Sequence, residues 1–182
     1  MSIVRFDELK AVPWKNGLGI TREIAVEPPG ATMDDFLWRV SIADVDTASP
    51  FSRFPGIDRT IVLLDGDGFT MTLDGEREHA LTTPCVPFAF PGEAQVDVAL
   101  AGGATRDFNL MVRRGKAGGA VDVVHGPNRL SVDDAALLYV ARGTAVIDGL
   151  AVGQGDTFLT PRSIELHVDS VALLVRIALH DA

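Results

Sequence analysis

The chain has 182 residues, 47% of them hydrophobic, enough to bury a sizeable core in one large or two small β-rich domains. Its 16 Lys and Arg against 25 Asp and Glu leave a formal net charge of −9, and no basic run or aromatic-basic interleaving occurs, which argues against nucleic acid or an anionic membrane as partner. A single cysteine, Cys85, rules out an internal disulfide and fits a reducing compartment.

The N-terminus, MSIVRFDELK, lacks the apolar core of a signal peptide. The longest apolar run, Val171–Leu179, is interrupted by Arg176 and too short to span a bilayer, so a cytoplasmic protein is expected. Cys85 has no histidine near it in sequence and reads as a small buried apolar residue.

Ser2–Lys10 suggests a short strand, with a single helical turn from Phe6. In PWKNGLGITREIA, Asn16, Gly17 and Gly19 allow positive φ, so Pro13–Ala25 reads as a structured loop entering a strand. Its Gly-x-Gly has no strand before it and no helix after it, and so makes a poor phosphate cradle. After the break at Pro28-Pro29-Gly30, Phe36–Val45 reads as a strand. One face, Phe36, Trp38, Val40 and Ile42, is wholly apolar; the other, Leu37, Arg39, Ser41 and Ala43, suits the wall of a polar cavity, although Arg39 could equally meet solvent.

Phe54-Pro55-Gly56 is a turn, Arg59–Leu64 a strand apolar on both faces, and Asp65-Gly66-Asp67-Gly68 a tight turn. Such a strand belongs inside a sandwich or barrel. Arg59 at its mouth reads either as a strand-end arginine paired with Asp58 or another acid, or as an anion anchor. Phe69–Leu73, Val86–Phe90, Ala94–Leu100 and Arg106–Arg113 continue the β rhythm; in the last of these Asp107, Asn109, Met111 and Arg113 share a face. A helical turn fits only near Ser131–Ala135.

Gly115–Gly119 marks the best boundary between halves. Beyond it Leu137–Val140, Gly143, Ala145–Ile147 and Asp148-Gly149 echo Ile61–Leu64, Gly68, Met71–Leu73 and Asp74-Gly75, the Asp-Gly turns lying 74 residues apart. The pattern suggests an internal duplication, with Val171–Leu179 as a buried closing strand.

Punctuation of the form strand, Gly-x-Gly, strand, Asp-Gly, then Pro-Gly resembles the cupin jelly roll, and its repetition resembles a bicupin. The resemblance implies an all-β bicupin of two jelly-roll barrels or sandwiches. The first would span residues 1–115 and carry the site; the second, degenerate, would span 116–182, with the N-terminal segment able to pair with it. Metal cupins carry two histidines and a glutamate ahead of the glycine turn, the glutamate seven residues before the glycine that Gly66 matches. Here that position is Arg59; the histidine pair would fall near Arg53 to Pro55, the later histidine near Gln95. The four histidines, His79, His125, His167 and His180, have no ligand spacing, so neither a metal nor another cofactor is expected.

The segments PWKNGLGITREIA, FLWRVSIADV, FSRFPGIDRTIVLLDGDG, FPGE and RDFNLMVRRG, in that order, resemble the HutD/Ves family. That family is associated with bacterial histidine utilisation and suspected of binding an intermediate such as N-formyl-glutamate or urocanate and limiting flux; other members are described as stress-induced. The resemblance puts weight on Trp14, Asn16, Gly17, Gly19, Thr21, Arg22 and Glu23, then on Trp38, Arg39, Ser41, Phe54, Arg59 and Phe90, and finally on Phe108, Asn109 and Arg113. Each has a plainer reading: core for Trp14, Trp38 and Phe108, turn formation for the glycines, and cross-strand pairing for Arg22 with Glu23 and for Arg113 with Asp107.

The leading functional expectation is a binding protein for a small anionic metabolite, namely N-formyl-glutamate, formate or urocanate. In it Arg59 clamps the carboxylate, Arg39 or Asn109 adds a polar contact, Ser41 donates a hydroxyl, and Trp38, Phe54 or Phe90 walls the apolar part, with Asn16 on the neighbouring loop. A metal-independent isomerase or hydrolase is the alternative, with Glu23, Asp58 and Glu93 as the available bases and no residue assigned as catalytic. A third reading, a homodimeric interaction module, rests on the apolar strands Leu137–Val140 and Val171–Leu179.

Overall fold

Short β-prone runs separated by glycine and aspartate turns leave few stretches in which a helix could form, and the chain folds accordingly. The computed structural model describes residues 2–180. Strands β1 (Ser2–Val4), β2 (Ala11–Pro13), β3 (Gly19–Glu27), β4 (Trp38–Val45), β5 (Ile57–Asp65) and β6 (Phe69–Leu73) are followed by β7 (Arg77–Leu81), β8 (Pro87–Pro91), β9 (Val96–Leu100) and β10 (Thr105–Arg113). Then come β11 (Ala117–His125), β12 (Asn128–Ser131), β13 (Ala135–Arg142), β14 (Thr144–Ile147), β15 (Leu150–Gly153), β16 (Thr157–Leu159), β17 (Ser163–Leu166) and β18 (Val171–Leu179). Apart from a 3-10 turn at Phe6–Glu8, the regular structure of the described residues is strand, and the protein is all-β. No helix among them is long and apolar enough to cross a membrane.

The described chain divides into two compact units, the larger formed by residues 10–118 with His180 and the smaller by residues 2–9 and 119–179. In the larger unit β2-β3-β4-β10-β5-β8 form one sheet and β7-β6-β9 another. Strand β5 is buried on both faces, with Ile61, Val62 and Leu63 fully enclosed. Ile61 and Leu63 pack with Phe69, Met71, Phe90 and Val96 in the core, while a second cluster joins Phe36, Ile57 and Met111. Burying six such side chains stabilises the fold by about 9–18 kcal/mol before chain entropy is counted. The turn between β5 and β6 requires glycine at Gly68: its φ is +75°, and a Cβ there would collide with the carbonyl oxygen of Leu81.

In the smaller unit the sheets are β1-β16-β13-β18-β11 and β12-β17-β14-β15. Leu138, Val140, Ile147, Phe158, Ile164 and Leu174 fill its core. Strand β18 has the bounds expected from its apolar run, with Val171 to Val175 buried.

Local expectations fail in three places. No helical turn forms at Ser131–Ala135; the Val132 N–H instead donates to the Arg162 carbonyl (2.9 Å), and Ala135 pairs with Arg176, so long-range bonds replace the local ones. Cys85 is half-buried rather than buried, in a left-handed conformation (φ 58°) with its N–H donating to the Leu63 carbonyl (2.9 Å). The charged, exposed β7 and the glycine-rich start of β11 are strands that local composition did not announce, since cross-strand bonds rather than side-chain burial hold them.

Candidate functional site

The register across β3, β4, β10, β5 and β8 builds a polar patch row by row. Arg39 faces Met111, Met111 faces Arg59, and Arg59 faces Phe90. One step along, Glu23, Ser41, Asn109 and Ile61 are successive partners; one step further, Thr21, Ala43, Asp107 and Leu63. Because side chains alternate across a strand, all three rows present the same face of the sheet. That face borders a cavity of about 830 Å³, lined also by the loop carrying Lys10, Trp14, Lys15 and Asn16 and by the segment from Ser49 to Phe54.

Arg59 is the centre of this site. It is only 8% exposed, and its guanidinium lies 4.9 Å from the Phe90 ring centre, 5.3 Å from Phe51 and 5.5 Å from Phe54. Cation–π attraction to three rings makes a buried guanidinium tolerable. Nη2 donates to Asn109 Oδ1 (3.0 Å), whereas the buried Nε has no hydrogen-bond partner among the described residues. Arg59 forms no ion pair with any described residue. Burial pushes its pKa down to about 10; the negative charge of Asp107 opposes that fall and the positive charge of Arg39 adds to it. The guanidinium thus stays charged at neutral pH with one buried donor unpaired.

Asp107, 1% exposed, borders the same cavity. Desolvation raises its pKa to about 7, held back by a hydrogen bond from the Thr105 hydroxyl (3.3 Å) and by the charge of Arg59 and pushed further by Asp44. Arg39 donates through Nε to Glu23 (2.7 Å) and reaches Ser41 Oγ at 3.4 Å. Trp14 donates to the Thr21 hydroxyl (2.8 Å) and lies over Gly19, where a Cβ would come within 2.9 Å of its ring. Asn16 caps the loop by accepting the Leu18 N–H (3.0 Å).

Of the residues expected at a site, Arg59, Arg39, Ser41, Asn109, Phe54 and Asn16 border the cavity together. Phe90 packs against the guanidinium but does not border the cavity, and neither does Trp38, which lies on the other face of β4. Asp58 and Glu93 are both held by Arg114 away from the cavity, leaving Glu23 as its only member among the three bases considered. Arg22 pairs with Asp44 rather than Glu23, and Arg113 donates to the carbonyls of Phe36 and Asp34 rather than meeting Asp107. Asp107 and Phe51 were not among the expected site residues; the alternation in RDFNLMVR already placed Asp107 on the face of Asn109. No group of three or more His, Cys, Asp or Glu among the described residues is arranged to hold a metal.

A profile of the HutD family matches residues 7–174. The chain belongs to the HutD family. An uncharacterised 21.2 kDa protein in the hutC 3' region of Pseudomonas putida is 38% identical over 80% of this chain and 76% of that protein. Protein Ves of Cronobacter sakazakii is 35% identical over 87% and 83% of the two chains. The structure of HutD from Pseudomonas fluorescens SBW25, described as a formate condition, superposes with a TM-score of 0.85 at 31% identity over 99% of both chains. A cupin 2 conserved barrel domain protein from Leptotrichia buccalis, 10% identical, superposes with a TM-score of 0.61 over 98% and 96% of the two chains, which makes the fold cupin-like.

Proposed function

We propose that this HutD-family protein is a bicupin that binds a small carboxylate metabolite in its larger unit without a metal, and thereby modulates histidine utilisation. The observation that carries the reading is Arg59: a cavity-lining guanidinium that is buried, ringed by three phenylalanines and in no ion pair with any described residue. The HutD family match and the hutC-region relative support the link to histidine utilisation. A cavity of about 830 Å³ leaves room beyond formate for N-formyl-glutamate or urocanate. Two charged hydrogen bonds from Arg59 contribute about 3–6 kcal/mol, which corresponds to affinities between millimolar and micromolar once the wall contacts are added. The reading carries with it a cytoplasmic location and a metabolite, rather than nucleic acid or membrane, as partner.

Calorimetric titration with formate, N-formyl-glutamate, glutamate and urocanate tests it. One acid binds saturably, and Arg59→Ala weakens it at least about tenfold; undiminished affinity in a folded variant would sink the assignment.

One observation favours a second reading. A buried carboxyl that titrates near neutral pH, Asp107, is a candidate general base for a metal-independent reaction on the same acid. Turnover of any of the four acids, followed by proton NMR and abolished in Asp107→Asn, would favour the enzyme.

A further inference from the structure

Resting on the carboxylate-binding reading above, we infer that the site takes its ligand together with one proton, which Asp107 acquires from solvent and presents as an O–H to a ligand oxygen. The ligand class is then a carboxylate bound with the composition of its free acid.

The geometry carries this. Arg59 lies opposite Met111, yet its Nη2 reaches Asn109 Oδ1, so the side chain runs along the sheet toward Asp107, which is the next residue on that face of β10. Residues two apart on a strand are separated by about 7 Å. Asp107 and Arg59 both border the cavity without forming an ion pair. The space by the guanidinium that an anion would enter is therefore also the space beside the Asp107 carboxyl. An ionised Asp107 would set one carboxylate against another beside a buried strand. A protonated one supplies the second half of a carboxyl–carboxylate hydrogen bond, and only one atom moves: the proton forms an O–H bond on Asp107 and leaves a buffer acid.

The charges facing Asp107 do not remove the need for that proton. Arg59 on β5 is the cation whose charge acts on it, and it is the group the ligand would engage. Arg39 on β4 is committed to Glu23 on β3, and Asp44 on β4 is committed to Arg22 and Arg106. Lys10 and Lys15 border the cavity from the loop. The pKa of about 7 in the empty site puts the exchange within reach of neutral pH.

Formate is the probe, because it stays ionised throughout the range used. Calorimetry in two buffers of different ionisation enthalpy should give close to one proton taken up per formate bound at pH 8 and close to none at pH 5.5. The dissociation constant should rise by up to about tenfold per pH unit above 7, and Asp107→Asn should bind with no proton uptake and a flat profile. Formate binding by wild type with no uptake at pH 8, or uptake that persists in Asp107→Asn, would overturn the inference and leave the carboxylate site standing. No binding at either pH would overturn both. The wild-type proton count decides the matter even if the variant does not fold.

Discussion

Arg59→Met separates an anion anchor from a structural arginine. In a structural role a buried cation holds partners together, and its removal should cost about 3–5 kcal/mol, as when one member of a buried pair is deleted. The surroundings of Arg59 give a different sum. The fall of its pKa to about 10 corresponds to roughly 3 kcal/mol by which burial disfavours the charged form in the folded state. The sign is that of a depressed base: at neutral pH the folded state carries this cost in full, and it is relieved only as pH rises above about 10. Against it stand the three ring contacts and the single bond to Asn109. Methionine fills the aliphatic stem and offers its sulfur to the same rings, recovering part of the cation–π attraction, about 0.3–1.5 kcal/mol per contact. Asn109 loses about 1 kcal/mol with its donor but borders the cavity, where water can replace it. The net expectation is a variant between unchanged and about 2 kcal/mol more stable, which for a chain of this length raises Tm by at most about 8 °C. Differential scanning calorimetry with and without formate reads both properties: formate raises Tm for wild type and leaves the variant unmoved. A loss of more than about 3 kcal/mol in Arg59→Met would refute the reasoning and make the guanidinium part of the scaffold.

Arg39→Ala removes the second guanidinium from the cavity and releases Glu23, so carboxylate binding should weaken about tenfold in calorimetry; an unchanged constant would confine Arg39 to its pair with Glu23. Asp107→Asn should change the pH dependence of stability. Its carboxyl rises from an ordinary value to about 7 on folding, so its contribution is fully present below about pH 4 and is lost as pH rises to 7, by at most about 4 kcal/mol. Urea unfolding at pH 4.5, 6 and 8 should show that slope in wild type and its absence in the variant. Gly68→Ala and Gly75→Ala both place a side chain at positive φ, but only at Gly68 would the Cβ strike a carbonyl, that of Leu81, while Gly75 has open space. Gly75→Ala should cost about 1 kcal/mol and Gly68→Ala several times more, measured as urea midpoints; equal costs would mean that the turn yields.

Much of the strand pattern was legible because it is local chemistry. The β-branched run at Arg59–Leu64 and the Asp-Gly turns around it need only neighbouring residues to be read, and β5 forms there with one or two further residues at each end. Alternation in RDFNLMVR likewise fixed which residues share a face of β10. What escaped notice was held by distant partners. The REHAL segment, with four of its five residues outside the core, is a strand because β6 pairs with it. The short polar run at Ser131–Ala135 looks like a helix start until the Arg162 carbonyl takes the N–H of Val132.

The site divides along the same line. Arg59 was legible as a cation in an unusual place, and Arg39, Ser41 and Asn109 as polar residues on otherwise apolar strands. Composition and periodicity by themselves determined an acidic, all-β chain with an arginine at the mouth of a doubly buried strand. Whether Arg59 pairs with Asp58 or faces a cavity was decided by the tertiary structure, because Arg114, in the turn after β10, captures Asp58. The three rings around the guanidinium come from the 49–54 segment and from β8, and the burial that lifts Asp107 comes from the cross-strand register of β4, β10 and β5. The reason is physical: turn and strand propensities act over a few residues, whereas desolvation and the satisfaction of a guanidinium depend on what a distant part of the chain brings within a few ångströms.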